Sequence, residues 1–488
     1  MVLNAAESGK GMRISEVDLL LAGLLTLYAI SYFRHGALWQ GFFLFPATYV
    51  VLYLACRLFF SIAGRNVSVY SVFYLLCAAC CFESIFGVAQ IMGIVESRHA
   101  LFPMTGTFDN PGPYGGFISI GASASLAAIL HNKAGRACKI VSALTLSLCL
   151  IVLPATMSRT AWIAFVAAAA LCCLNIRDVR SFISSRKMGT ALVSLAILCA
   201  AALLFFLKKD SAIGRLHIWN MDLRVIAANP LFGAGPNEAM GAYAAAQASY
   251  FSSSSPSAGI LMVAGCPEFA FNEFLRVGME TGIPGLAAAA SLPCRAKSLC
   301  IASGLIPVIA TIALITVIST ILAPKCRERA RCLNDWKSET ALLKAVEYDS
   351  GLDVYENLFP AVSDRFRIVY DYAYALHKQG GYEKSNSILE MGAKISSDPL
   401  FHVIMGKNYE ALSRFDEAED EYRTAIAILP CRLYARSLLM KLKLSRSEDA
   451  EAEAVAREIA SAPVNERMGT MVDLQSEAKH ILDSLCRK

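Results

Sequence analysis

The sequence predicts an all-α protein in two parts, a polytopic membrane helix bundle followed by a soluble α-solenoid. Three observations predict it. The 488-residue chain is 56% hydrophobic and 17% charged, with a mean hydropathy of +0.47. An average soluble domain is about 45–50% apolar and about 25% charged. The excess is uneven: apolar runs follow one another up to about Leu322, whereas Lys325 to Lys488 reads as ordinary soluble sequence. The soluble part also repeats itself, with Tyr382 in register with Phe415 and Ser385 with Ala418. The expected division is therefore 1–324 for the membrane domain and 325–488 for the repeats.

A bilayer core about 30 Å thick needs about 20 apolar residues in a helix. Nine runs meet or approach that length, at about 17–33, 38–62, 68–94, 114–131, 138–156, 160–176, 188–207, 272–290 and 299–323. The run at 272–290 is the weakest, and the count after residue 271 is the least determined. Basic short loops stay in the cytoplasm, and "HNKAGRACK", "RDVRSFISSRK" and "RAK" are such loops. Alternation then puts 95–113, the turn at Ser158-Arg159 and the long segment 208–271 on the outer side. The same count puts the tail outside, although its opening "KCRERARC" has the charge of a cytoplasmic segment. The first apolar run is expected to be a retained helix rather than a cleaved signal.

The net charge of +5 resides mostly in the loops between spans. No basic stripe with interleaved aromatics accompanies it, so nucleic acid is not an expected partner. Most of the 16 cysteines sit in apolar runs, and Cys77 and Cys80 form a C-x-x-C with no second pair at metal spacing. These read as small apolar side chains rather than a metal or redox site.

In the tail, "YAYALHKQGGYEKSNSILEMGAKISSDP" is matched by "MGKNYEALSRFDEAEDEYRTAIAILP", and a weaker third copy ends at Pro463. Small residues where two helices cross, and a closing Pro in each copy, resemble tetratricopeptide repeats. Such stacks present a concave face for protein contact, so a protein partner is expected there; a plain helical bundle is the alternative.

Ionisable residues within or against a membrane are costly and mark candidate sites. Arg159 sits on the turn of "SRTAWIAF". Arg215 and Arg224 flank an amphipathic stretch in "GRLHIWNMDLRVIAANPLFGAGPNEAM", which then breaks at a Gly/Pro turn. A guanidinium binds phosphate bidentately and keeps its charge. "GTFDNPGPYGGF" is a further Gly/Pro-rich re-entry, and "FNEFLRVGMETGIPGL" holds Asn272, Glu273, Arg276 and Glu280 in an apolar setting.

These four stretches, in this order over roughly residues 70–290, resemble the O-antigen ligase/polymerase superfamily, in the branch carrying C-terminal tetratricopeptide repeats that is common in Bacteroidetes. The resemblance implies an inner-membrane, metal- and cofactor-independent, inverting glycosyltransferase acting at the periplasmic face. Its donor would be a glycan on undecaprenyl diphosphate. Its acceptor would be lipid A-core, a growing glycan or a protein. It assigns the diphosphate to Arg159 and Arg215; Arg224, at the far end of the amphipathic stretch, is a third candidate on its chemistry alone. The ligase histidine that precedes the motif Asn is Phe271 here. Either the proton acceptor would then be Glu273, Glu280 or His217, or the diphosphate would leave with little base help through positioning and arginine electrostatics. Asn272 would orient the acceptor or cap a helix. Two rivals are a lipid-linked glycan transporter, which would show internal repeats in the membrane half, and an inactive scaffold that works through its repeats.

Overall fold

A computed structural model of the chain describes residues 15–35, 44–62, 65–99, 102–131, 135–174, 209–253, 256–291, 305–345, 352–462 and 469–485. The described residues are mostly helical, with no named strand, as the apolar runs and repeat periodicity predict. They form two compact units, one of residues 1–58 with 209–488 and one of residues 59–208.

In the first unit, α1 (Glu16–His35) and α2 (Leu44–Ile62) correspond to the first two apolar runs. Asp18 ties them together by accepting from Arg57 Nη2 at 2.7 Å and from the Tyr53 hydroxyl at 2.5 Å.

The second unit contains α3 (Arg65–Ile91), α4 (Pro111–Leu130), α5 (Arg136–Ala155) and α6 (Arg159–Leu174). Its core of Cys80, Tyr114, Ile118, Ala122, Cys149 and Val152 is buried. Cys80 and Cys149 are free thiols filling helix contacts. α4 starts where the Gly/Pro re-entry places it. Asn110 caps it, accepting from the Gly112 amide at 2.9 Å, and Pro111 occupies the first turn, where its missing N–H costs nothing. The expected span at 188–207 and the basic loop at 177–187 lie outside the described residues.

The chain returns to the first unit with α7 (Lys209–Ala228), α8 (Ala239–Ser253), the short α9 (Ala258–Val263) and α10 (Glu273–Ser291). Among the described residues, five helices are long and apolar enough to cross a membrane: Glu16–His35, Val69–Ile91, Pro111–Leu130, Arg136–Ala155 and Ile309–Ser338. Ala47–Ser61 and Arg159–Cys173 are shorter apolar helices. α10, over the weakest expected span, is not in either set. It is broken at Gly282, whose φ is +76°, and carries Pro284 just beyond.

The last apolar run belongs to α11 (Leu305–Ala345), which continues unbroken through the expected boundary at 324/325 and carries the basic segment that opens the tail. There Arg329 forms a buried two-pronged pair with Asp364, at 2.6 and 2.7 Å, and donates to the Ala361 carbonyl. One of the arginines that looked like a cytoplasmic signal is therefore spent inside the fold.

Beyond α12 (Leu352–Val362) come three antiparallel helix pairs: α13 (Phe366–Lys378) with α14 (Tyr382–Ile395), α15 (Leu400–Ala411) with α16 (Phe415–Ile428), and α17 (Leu433–Ser445) with α18 (Asp449–Ser461). α19 (Gly469–Leu485) closes the stack. Tyr382 and Phe415, in register in the sequence, each begin the second helix of a pair. Ser385, Ala418 and Ala452 occupy equivalent crossings and are completely buried. At Gly392 and Gly406 a methyl group would meet the Phe401 and Tyr422 rings at 2.0 and 2.4 Å, so the period of small residues follows from close helix packing. Pro463 lies outside the described residues.

Candidate functional site

In the first unit, the turn Asn229–Gly235 lies in the break of α10, and the two segments share backbone hydrogen bonds. The Ala234 amide donates to the Met279 carbonyl at 2.6 Å, and the Ile283 amide to the Pro230 carbonyl at 2.7 Å. Contact this close excludes side chains. A methyl at Gly233 would lie 2.4 Å from the Glu280 carbonyl carbon, and one at Gly282 would lie 2.6 Å from the Pro230 oxygen. Both glycines have positive φ, which L-residues adopt only under strain. The "NPLFGAG" and "METGIP" wordings are thus two halves of one joint.

α1 braces this joint. The Ser31 hydroxyl lies 2.8 Å from both the Phe232 and Glu280 carbonyl oxygens. The Tyr28 hydroxyl donates to Glu280 Oε2 at 2.7 Å, and Arg276 Nε lies 3.4 Å from Glu280 Oε1. Glu280 is buried and enclosed by these donors. Arg276 also reaches Glu273 Oε2 at 3.6 Å, but the Glu273 side chain is 82% exposed. An ion pair that open to water contributes about 0–1 kcal/mol, so Glu273 is exposed and only weakly held.

Asn272 accepts from the amides of Phe274 and Leu275, at 3.0 and 3.3 Å. It is a helix N-cap, the bland alternative open in the sequence. Phe271 has φ +53°, unfavourable for a bulky residue. Its ring receives the Arg215 guanidinium, 5.5 Å from the centroid. α7 thereby delivers Arg215 to the residue preceding Asn272 and Glu273. Arg224, three residues beyond Met221 on the same helix, lies over the Tyr250 ring at 5.1 Å.

Residues 144–290 match the family model described as O-antigen ligase. That match supports the resemblance of this segment to the O-antigen ligase/polymerase superfamily. No curated protein matches the chain significantly. Within the O-antigen ligase segment, the match takes in Arg159, Arg215, Arg224, His217 and the whole of the α10 motif.

His217 is buried between Tyr250 and Phe251, with ring centroids 5.5 and 5.7 Å away. Its Nε2 lies 3.2 Å from Gln247 Oε1. The Gln247 amide nitrogen faces two carbonyls, Gly265 at 3.1 Å and Ile428 at 2.8 Å. Carbonyls only accept, so the Gln247 oxygen must face His217, and His217 must carry its proton on Nε2. Burial holds the imidazole below its ordinary pKa, and Arg224 acts in the same direction, against the Gln247 hydrogen bond. His217 is accordingly neutral, with Nδ1 as its bare nitrogen.

Asp222, on α7, has no exposed surface, and neither carboxyl oxygen has a hydrogen-bond partner among the described residues. Burial alone pushes its pKa up from 3.8 to about 7. The Trp219 indole nitrogen, three residues earlier, is likewise buried without a partner among the described residues.

In the second unit, Arg159 opens α6 directly after Ser158 and Met157, the latter at φ +53°. α4 comes close to this turn through Gly115, where a methyl would lie 2.9 Å from Ser158 Cβ. The re-entry before α4 is pinned by α3. Gln90 Oε1 accepts from the Thr105 and Gly106 amides at 3.0 and 2.8 Å. Glu83 accepts from the Thr107 amide at 3.0 Å and hydroxyl at 2.5 Å. Sequence reasoning missed Tyr28, Asp222 and Gln247. Only Asp222 had a local signal, as a carboxylate on the apolar stripe of an amphipathic helix.

Proposed function

We propose that this O-antigen ligase/polymerase-like membrane protein transfers a glycan from undecaprenyl diphosphate to an acceptor hydroxyl at the periplasmic face. The observation that carries the reading is the seating of Arg215 against Phe271, at the head of the helix bearing Asn272 and Glu273. An arginine there can bind the leaving diphosphate bidentately while the acceptor approaches beside Glu273. The acceptor oxygen attacks the anomeric carbon, the bond to the diphosphate breaks with inversion, and the hydroxyl proton passes to Glu273. Arg224 and, in its own unit, Arg159 are proposed as further phosphate contacts.

Three carboxyl or imidazole groups were candidates for the proton. Glu273 is preferred on exposure. Glu280 is enclosed by Tyr28 and Arg276, which suits it to bracing the joint, and His217 is buried behind aromatic rings. Phe271 in place of the ligase histidine favours a second reading, a member without transfer activity that works as a scaffold. Acceptor class is read from the surface-glycan profile of a deletion strain. Loss of ladder spacing would indicate a polymerase, loss of lipid A-linked glycan a ligase, and loss of glycoproteins an oligosaccharyltransferase. An unchanged profile would support the scaffold reading.

A further inference from the structure

α8 packs on the repeats, and the packing is tight enough to be specific. A methyl at Gly241 would lie 2.2 Å from the Lys394 carbonyl oxygen and 2.5 Å from that of Ala393, at the end of α14. The buried side chains Ala244, Ala264, Ile428 and Leu429 form one cluster across the two segments. Polar contacts surround it: Ser397 Oγ donates to the Pro267 carbonyl at 2.8 Å, Asn237 Nδ2 to the Asp364 carbonyl at 3.2 Å, and Arg367 pairs with Glu268 at 2.6 Å.

Gln247 is the centre of this interface. It is completely buried, and its amide bonds four groups: Tyr243 at 2.7 Å, His217, Gly265 and Ile428. Ile428 belongs to the repeats and His217 to α7, the helix that carries Arg215. A buried amide deprived of one of these acceptors is left with an unsatisfied donor, which is destabilising, so the packing of α8 against α7 is coupled to the repeats being in place.

We propose that the repeats are an internal clamp for the 208–271 segment: they lie on the same side of the membrane as that segment and hold α7 in its working arrangement through Gln247. The consequence for transfer rests on the transferase reading above; the clamp itself does not. A repeat stack used in this way presents only its remaining surface to other proteins. It also accounts for α11 running unbroken from the last apolar run into the stack, a connection that fixes where the repeats begin.

The test uses the full-length protein in membranes. Single cysteines introduced at Tyr250 and Glu390, in a background without native cysteines, should react with an impermeant maleimide from the same side. Gly241→Val drives a side chain into the α14 carbonyls, and Gln247→Met removes the bonded amide at similar volume. In both, amide hydrogen exchange in α7, α8 and α16 should rise about tenfold or more while α3 to α5 stay unchanged. Glycan transfer should fall by a similar factor at equal protein abundance. Labelling from opposite sides, or unchanged exchange in both variants, overturns the clamp. Raised exchange with undiminished transfer overturns its role in the reaction. If the parent chain transfers no glycan, the transferase reading fails and exchange alone still decides the clamp.

Discussion

Replacing Asp222 by asparagine should stabilise the protein, and the gain should depend on pH. The carboxyl is fully enclosed with both oxygens unbonded among the described residues, and burial lifts its pKa from 3.8 to about 7. That displacement corresponds to roughly 4 kcal/mol between the ionised and neutral forms. The sign follows from proton uptake. Between pH 4 and 7 the folded state holds a proton that the unfolded state has released, so stability falls as pH rises across that window. Below it the carboxyl is neutral in both states, and the penalty vanishes. An asparagine side chain cannot ionise, and its unbonded amide resembles the unbonded neutral carboxyl. The Asp222→Asn variant should therefore melt with the parent near pH 4 and several degrees above it at pH 8. Thermal unfolding of purified full-length protein in nanodiscs, followed by tryptophan fluorescence at pH 4.5, 6 and 8, reads this directly. Parallel pH profiles for the two proteins would refute the assignment of Asp222 as a buried, unpaired acid.

Further outcomes follow from the site and the repeats. Arg215→Lys should lose most transfer although charge is kept, because the bidentate fork and its stacking on Phe271 are both lost; Arg159→Lys should behave likewise, and surface-glycan blots at equal expression check each. Glu273→Gln should slow transfer by roughly two to four orders of magnitude if Glu273 accepts the proton, with little change in melting temperature because its contact with Arg276 is long and exposed. Tyr28→Phe removes a donor from the buried Glu280 and should destabilise the joint by roughly 1–3 kcal/mol, visible as a lower melting temperature. Residues 340–488 expressed alone should give a helical circular dichroism spectrum and a cooperative melt, since the helix pairs have their own buried core.

Much of this architecture was legible because its causes are local. Apolar run length marked α1 and α3 to α6, Asn110-Pro111 marked the start of α4, and small residues at Ser385 and Ala418 marked the helix crossings. The amphipathic stretch from Arg215 to Ala227 became α7, and Asn272 took the cap position its sequence context allowed. The expected span at 272–290 became α10, which has the length but is not among the helices apolar enough to cross a membrane. Gly282 breaks it because the backbone of another segment occupies the space its side chain would need. The remainder depends on partners far away in the chain. Tyr28 reaches Glu280 across 252 positions and Gln247 reaches Ile428 across 181. Neither residue differs locally from an ordinary membrane tyrosine or helix glutamine, so no pattern at either position could announce the contact.

The central claim is transfer of a glycan from a lipid diphosphate, and the amount of unused donor measures it most directly. Polyprenyl-diphosphate-linked oligosaccharides should be quantified by mass spectrometry in cells with the parent chain, without it, and with Arg215→Ala at equal abundance. Donor should accumulate in the latter two, together with loss of the corresponding surface glycan. Equal donor levels and an unchanged surface profile in all three strains would contradict the account.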